Sequence, residues 1–198
     1  SKSFSYPEFR SLMETWEKEE KTSGTEQTEE RIHYTKLNSS RMRRLDKTLK
    51  LTPEQQAAFN SIKSPQIWLV LVESWCGDGA QTLPVLNLIA DSPAIDLRIL
   101  LRDDNPELID AFLTNGTRSI PKLLILNSNF DVINTWGPRS ATADRMAKDY
   151  KNAHGKIDAF FKEELQKWYN QDKGAAIIEE LLEMNFPSEE AQELLQIQ

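Results

Sequence analysis

The chain has 198 residues, 39% apolar and 28% charged, proportions ordinary for a soluble domain with enough material for one sizeable core. Its 24 Lys and Arg stand against 31 Asp and Glu, a net charge of −7, whereas a global binder of nucleic acid or of an anionic membrane leans the other way. The longest apolar run, Ile67–Val72, is six residues, far below the roughly 20 of a membrane span, and no apolar h-region of a secretory signal stands near the start.

In chain order, Ser5-Tyr6-Pro7-Glu8 has the spacing of a capping box, and Phe9, Leu12, Met13 and Trp16 then recur at helical spacing. Thr22–Thr25 interrupts this helix, and a second is expected from about Glu26 to Leu49. Thr52-Pro53-Glu54-Gln55 starts a third, with a capping residue, a proline in the first turn and a reciprocal Gln. Ile67–Val72 is continuously apolar, as in a strand buried on both faces of a parallel sheet. A helix over Gly77–Ala90, a strand over Asp96–Leu101 and a short helix over Pro106–Leu113 follow. Lys122–Leu126 and Val132–Trp136, joined by Asn127-Ser128-Asn129, read as a hairpin. That order predicts an α/β layer fold: a mixed central sheet, a parallel pair with an antiparallel edge, flanked by helices. Beyond Ser140, an apolar stripe from Ala143 to Trp168 predicts continuing helix, and a last helix is expected near Gly174–Met184.

Chemistry concentrates at Glu73-Ser74-Trp75-Cys76-Gly77-Asp78-Gly79. Cys76 is the one cysteine, which excludes an internal disulfide framework and fits a reducing compartment such as the cytoplasm. It falls where a buried strand ends and a helix begins, the edge at which open α/β sheets place their sites. The first N–H groups of that helix and its macrodipole favour a thiolate, so a thiol near the surface with a pKa below the free value of ~8.5 is expected. Asp78 opposes that shift. Glycines at 77 and 79 leave the sulfur uncovered.

Trp75-Cys76-Gly77-Asp78-Gly79, with Pro84 eight residues after the cysteine, resembles the thioredoxin active-site motif, a Trp-Cys-Gly-X-Cys stretch opening a proline-kinked helix. Ile120-Pro121, 45 residues beyond Cys76, is similar to the thioredoxin segment whose Ile–Pro bond is cis and packs against the active-site sulfur. Trp136-Gly137 resembles the glycine turn before that family's last helix. The resemblance implies a thioredoxin-like fold over residues 52–160, an N-terminal helical extension over 1–51 packed on the core, and a C-terminal one over 161–198. It makes Cys76 the catalytic residue. Trp75, Gly77, Asp78, Gly79, Ile120 and Pro121 become the substrate-binding rim.

Departures from the family limit the chemistry. Gly79 stands where the resolving cysteine would be, and Val70 where thioredoxin buries a carboxylate; Glu73 and Asp78 are the nearest acids. Dithiol reduction needs an attacking thiolate and a neighbouring thiol that releases the substrate. One reading is therefore a monothiol protein of cell redox homeostasis. In it Cys76 exchanges with a protein or low-molecular-weight disulfide and an outside thiol resolves the product. The alternative is a redox-silent module that binds peptide or protein partners, its extra helices offering a partner or homodimer surface. Iron–sulfur ligation across a dimer, as in monothiol glutaredoxins, would need borrowed thiols. No cofactor, metal, nucleic acid or membrane is called for. A cysteine placed at 79 is expected to come within disulfide range of Cys76.

His33 and His154 lack partners at ligand spacing and read as helix-surface or partly packed residues. Arg41-Met42-Arg43-Arg44 with Lys47 and Lys50 reads as a solvated helix face. Glu183–Ala191 carries a faint, chance likeness to the loop of ubiquitin-associated domains.

Overall fold

A computed structural model describes residues 2–186; the end of the C-terminal extension, with most of the Glu183–Ala191 stretch, lies outside the described residues. The chain divides into two compact units, residues 1–138 and 139–198, so the N-terminal helices share a unit with the sheet.

In the first unit α1 (Tyr6–Glu19) begins at Ser5, whose side chain accepts from the Glu8 N–H while the Glu8 carboxylate accepts from the Ser5 N–H. Helix α2 (Glu29–Thr48) starts after Thr28 rather than at Glu26, because the Thr28 side chain caps it. A second capping box, Thr52 with Gln55, opens α3 (Pro53–Asn60). Strand β1 (Gln66–Val72) leads into α4 (Gly77–Ile89), then β2 (Ile95–Leu101), α5 (Pro106–Ala111), β3 (Lys122–Leu126) and β4 (Val132–Trp136). Helix α5 stops two residues short of Leu113, with Phe112 in a non-helical conformation.

The sheet order is β2-β1-β3-β4. β1 pairs parallel with β2 and antiparallel with β3, and β3 pairs antiparallel with β4. On the outer edge of β2, Phe4 and Ile99 exchange both backbone hydrogen bonds at 2.8 Å, so the segment before α1 occupies part of that edge. Leu71, Leu100, Ile109, Leu124 and Leu126 form one buried cluster between the sheet and α5. Trp68, Val70, Leu86 and Ile89 are fully enclosed as well. Helix α2 packs along α4, and α1 along α2 and β2. That placement brings α2 to the first residues of α4, Arg41 beside Gly77.

In the second unit the expected continuous stripe is broken. α6 (Ala141–His154) ends at Gly155 in a left-handed conformation, φ 78°, and α7 (Ala159–Asp172) restarts from an Asp158 cap. Ala143, Ala147, Phe161, Leu165 and Tyr169 still form one buried cluster, since the two helices pack their apolar faces on each other. Ile157 and Phe160, which that stripe also includes, are instead exposed, and Gly155 folds the remainder back. α8 (Ala175–Asn185) follows.

Candidate active site

Cys76 is the N-cap of α4. β1 ends at Val72, and four residues later the chain turns into the helix with the Cys76 N–H bonded to the Glu73 carbonyl at 3.0 Å. Cys76 Sγ accepts from the Gly79 N–H at 3.3 Å and faces the Ile120 carbonyl oxygen, also at 3.3 Å, as donor. The Ile120–Pro121 peptide bond is cis. These contacts favour different protonation states: a thiolate keeps the first and gives up the second. Cys76 is 7% exposed, more enclosed than the surface thiol expected from sequence, because the cis-proline segment lies against one side of it.

The other expected site residues are placed as follows. Gly77 and Asp78 form the first turn of α4 with Gly79. Pro121 is buried at the start of β3, and its carbonyl is so close to Gly137, φ 105°, that a Cβ there would overlap it. Trp75 is half-buried. The guanidinium groups of Arg31 and Arg102 lie 4.6 and 5.2 Å from the centre of its ring, and its Nε1 is enclosed without an acceptor among the described residues. Cys76, Gly79 and Ile120 thus meet directly, whereas the indole is covered by arginines rather than standing bare.

The residues that hold this loop in place are polar and leave no trace in the hydrophobic period of the sequence. The Ser23 N–H donates to Ser74 Oγ at 2.9 Å, and the Ser74 N–H donates to Ser23 Oγ at 2.8 Å. Thr22 and Thr35 hydroxyls lie 2.9 and 2.8 Å from Ser74 Oγ and 2.7 Å from each other. Asn38 donates to the Ser74 carbonyl at 2.9 Å. Glu73, 1% exposed, accepts from the Ser23 hydroxyl and, at 2.8 Å, from the Asp103 N–H. Burial pushes its carboxyl above the usual range, against the pull of those two hydrogen bonds.

The basic stretch is the solvated face expected at Arg43, Arg44, Lys47 and Lys50, which are exposed; Arg41 departs from it. Met42 is buried, and Arg41 lies half-buried at the start of α4, its Nη1 3.7 Å from where a Gly77 Cβ would stand. Arg41 donates to Asn38 Oδ1 at 3.0 Å, and burial lowers its guanidinium pKa. The spacing Thr35, Asn38, Met42, Leu45 is helical, so the two apolar members could have exposed the face; the polar pair concealed it.

His33 stands edge-on to Tyr34, and His154 stacks on Tyr150 at 4.2 Å. Among the described residues no group of three or more His, Cys, Asp or Glu could hold a metal ion, and no helix is long and apolar enough to cross a membrane.

A family described as thioredoxin matches residues 24–151. The chain belongs to the thioredoxin family. In this thioredoxin-family chain the match begins before α2, so α2 lies within the matched region, whereas the resemblance of the motifs implied a thioredoxin-like part over residues 52–160. Among solved structures, an HIV epitope-scaffold is 17% identical with a TM-score of 0.56, over 91% of this chain and 97% of that one. A Pseudomonas aeruginosa protein of unknown function is 17% identical with a TM-score of 0.49, over 88% and 97%. The first supports the fold alone. No curated protein matches the chain.

Proposed function

We propose that this thioredoxin-family protein carries out monothiol exchange through Cys76. The observation that carries the reading is the sulfur at the N-cap of α4, with the Gly79 N–H directed at it and the cis Ile120–Pro121 segment beside it. Such a position favours the thiolate, the nucleophilic form. The Cys76 thiolate attacks a disulfide, forming a new S–S bond and releasing one substrate sulfur as thiolate. An outside thiolate then attacks the mixed disulfide, leaves with the substrate's remaining sulfur, and regenerates Cys76. Asp78 moderates the first step by disfavouring a second negative charge.

A redox-silent peptide-binding module is the second reading, favoured by the low exposure of Cys76. Incubation with glutathione disulfide separates the two. The exchange reading expects an adduct of one glutathione per chain, removed by added thiol and absent from Cys76→Ser. A folded protein that acquires no adduct, yet binds peptides equally well with Cys76→Ser, supports the binding module.

A further inference from the structure

Cys76 and Gly79 are three residues apart at the start of α4, a spacing that puts side chains on one helix face. A Cβ on Gly79 would lie 3.4 Å from Cys76 Cβ and 3.5 Å from Cys76 Sγ, close to the ~3.5–4.5 Å separation of bridged cysteine Cβ atoms. The backbone has therefore kept the spacing of a dithiol site. The same Cβ would lie only 2.5 Å from Val72 Cγ2, far inside the ~3.5–4.0 Å of ordinary carbon contact. Val72 is buried at the end of β1, opposite Leu101 in β2. Its branch at Cβ keeps the methyl from swinging aside as a longer side chain would.

We propose that Val72 is the specificity-determining residue that denies this site an internal resolving thiol. Glycine is what the Val72 methyl admits at position 79, so the single-thiol character is built into the packing of β1 on α4. A Cβ at Gly77, by contrast, would make ordinary contact with Arg41 Nη1 at 3.7 Å. The inference rests on the exchange reading for its functional meaning. It also revises the expectation that a cysteine at 79 would close a bridge unaided.

The test uses the full chain with Gly79→Cys, alone and combined with Val72→Ala, in a glutathione redox buffer. Closing the bridge takes two protons and two electrons from the two thiols, and one glutathione disulfide accepts them to become two glutathiones. Loss of two hydrogens by intact mass reads the reaction. Without the bridge, residue 79 of Gly79→Cys can move off the Val72 methyl, and closing the bridge holds it against that methyl. The double variant should therefore have a bridge-closing equilibrium constant roughly tenfold above that of Gly79→Cys, within the range of overpacking costs. Equal constants, or a folded double variant that never closes, would overturn the proposal.

Gly79→Ala keeps the test open if the cysteine variants misfold. Alanine ordinarily stabilises a helix relative to glycine. Here Gly79→Ala should lower the urea midpoint in the natural background and raise it in the Val72→Ala background. A rise in both would contradict the steric role of Val72. If the double variant oxidises while the natural protein forms no glutathione adduct, the exchange reading fails and the role of Val72 stands.

Discussion

Glu73 shows how one buried acid can couple the site to pH. Both of its oxygens accept hydrogen bonds, from Ser23 and from the Asp103 N–H, yet burial raises its pKa in the folded state. A carboxyl whose folded pKa exceeds its unfolded value binds more protons when folded. Its contribution to stability therefore falls as pH rises from the unfolded pKa through the folded one. Glu73→Gln lacks that titration. As the pH is raised from about 4 to about 7, the melting temperature of the natural protein should fall relative to that of Glu73→Gln; a constant gap, or one widening the other way, would contradict it. For Asp78 the expected effect is on the thiol. Lying in the first turn of α4 two residues after Cys76, its charge works against the helix N-terminus, and Asp78→Asn should react faster with an alkylating reagent near neutral pH. Equal rates would mean that the carboxylate does not act on the sulfur.

At the scale of elements, the segment joining α1 to α2 holds the loop between β1 and α4. Ser74 Oγ is the hub: it receives the Ser23 N–H and meets the hydroxyls of Thr22 and Thr35. Ser74→Ala leaves that buried N–H without its acceptor, which costs about 1–3 kcal/mol. The urea midpoint should drop with little change in slope. No change in midpoint would show that water or a shifted side chain takes over. These contacts also explain what the sequence concealed. The apolar runs of β1 and β3, the two capping boxes and the strand–cysteine–helix junction were legible, because hydrophobic period and cap chemistry report directly on them. Thr22, Ser23, Thr35 and Asn38 were not, because a polar residue buried by hydrogen bonding carries no signal in hydrophobic period. The turn at Gly155 is masked because the apolar positions on either side of it keep helical spacing while the chain reverses.

Across the whole molecule, thioredoxin-family membership is shown over residues 24–151, a stretch in which Gly79 stands three residues after Cys76. The site was partly legible: Cys76 and the cis Ile120–Pro121 segment follow from the motif, while the steric reason for Gly79 lies in Val72, a residue the sequence shows only as part of an apolar run. With Cys76 the chain's one cysteine, every thiol measurement reports on a single sulfur. Its central chemistry is therefore tested most directly by the rate at which Cys76 reacts with a neutral aromatic disulfide near pH 7, in the folded protein and in the same protein unfolded by urea. Exchange at a thiolate held by the α4 N-terminus predicts a folded-state rate at least equal to that of the unfolded chain, and none from Cys76→Ser. Reaction that proceeds only on unfolding would contradict it, placing the sulfur out of reach and leaving a module that binds rather than exchanges.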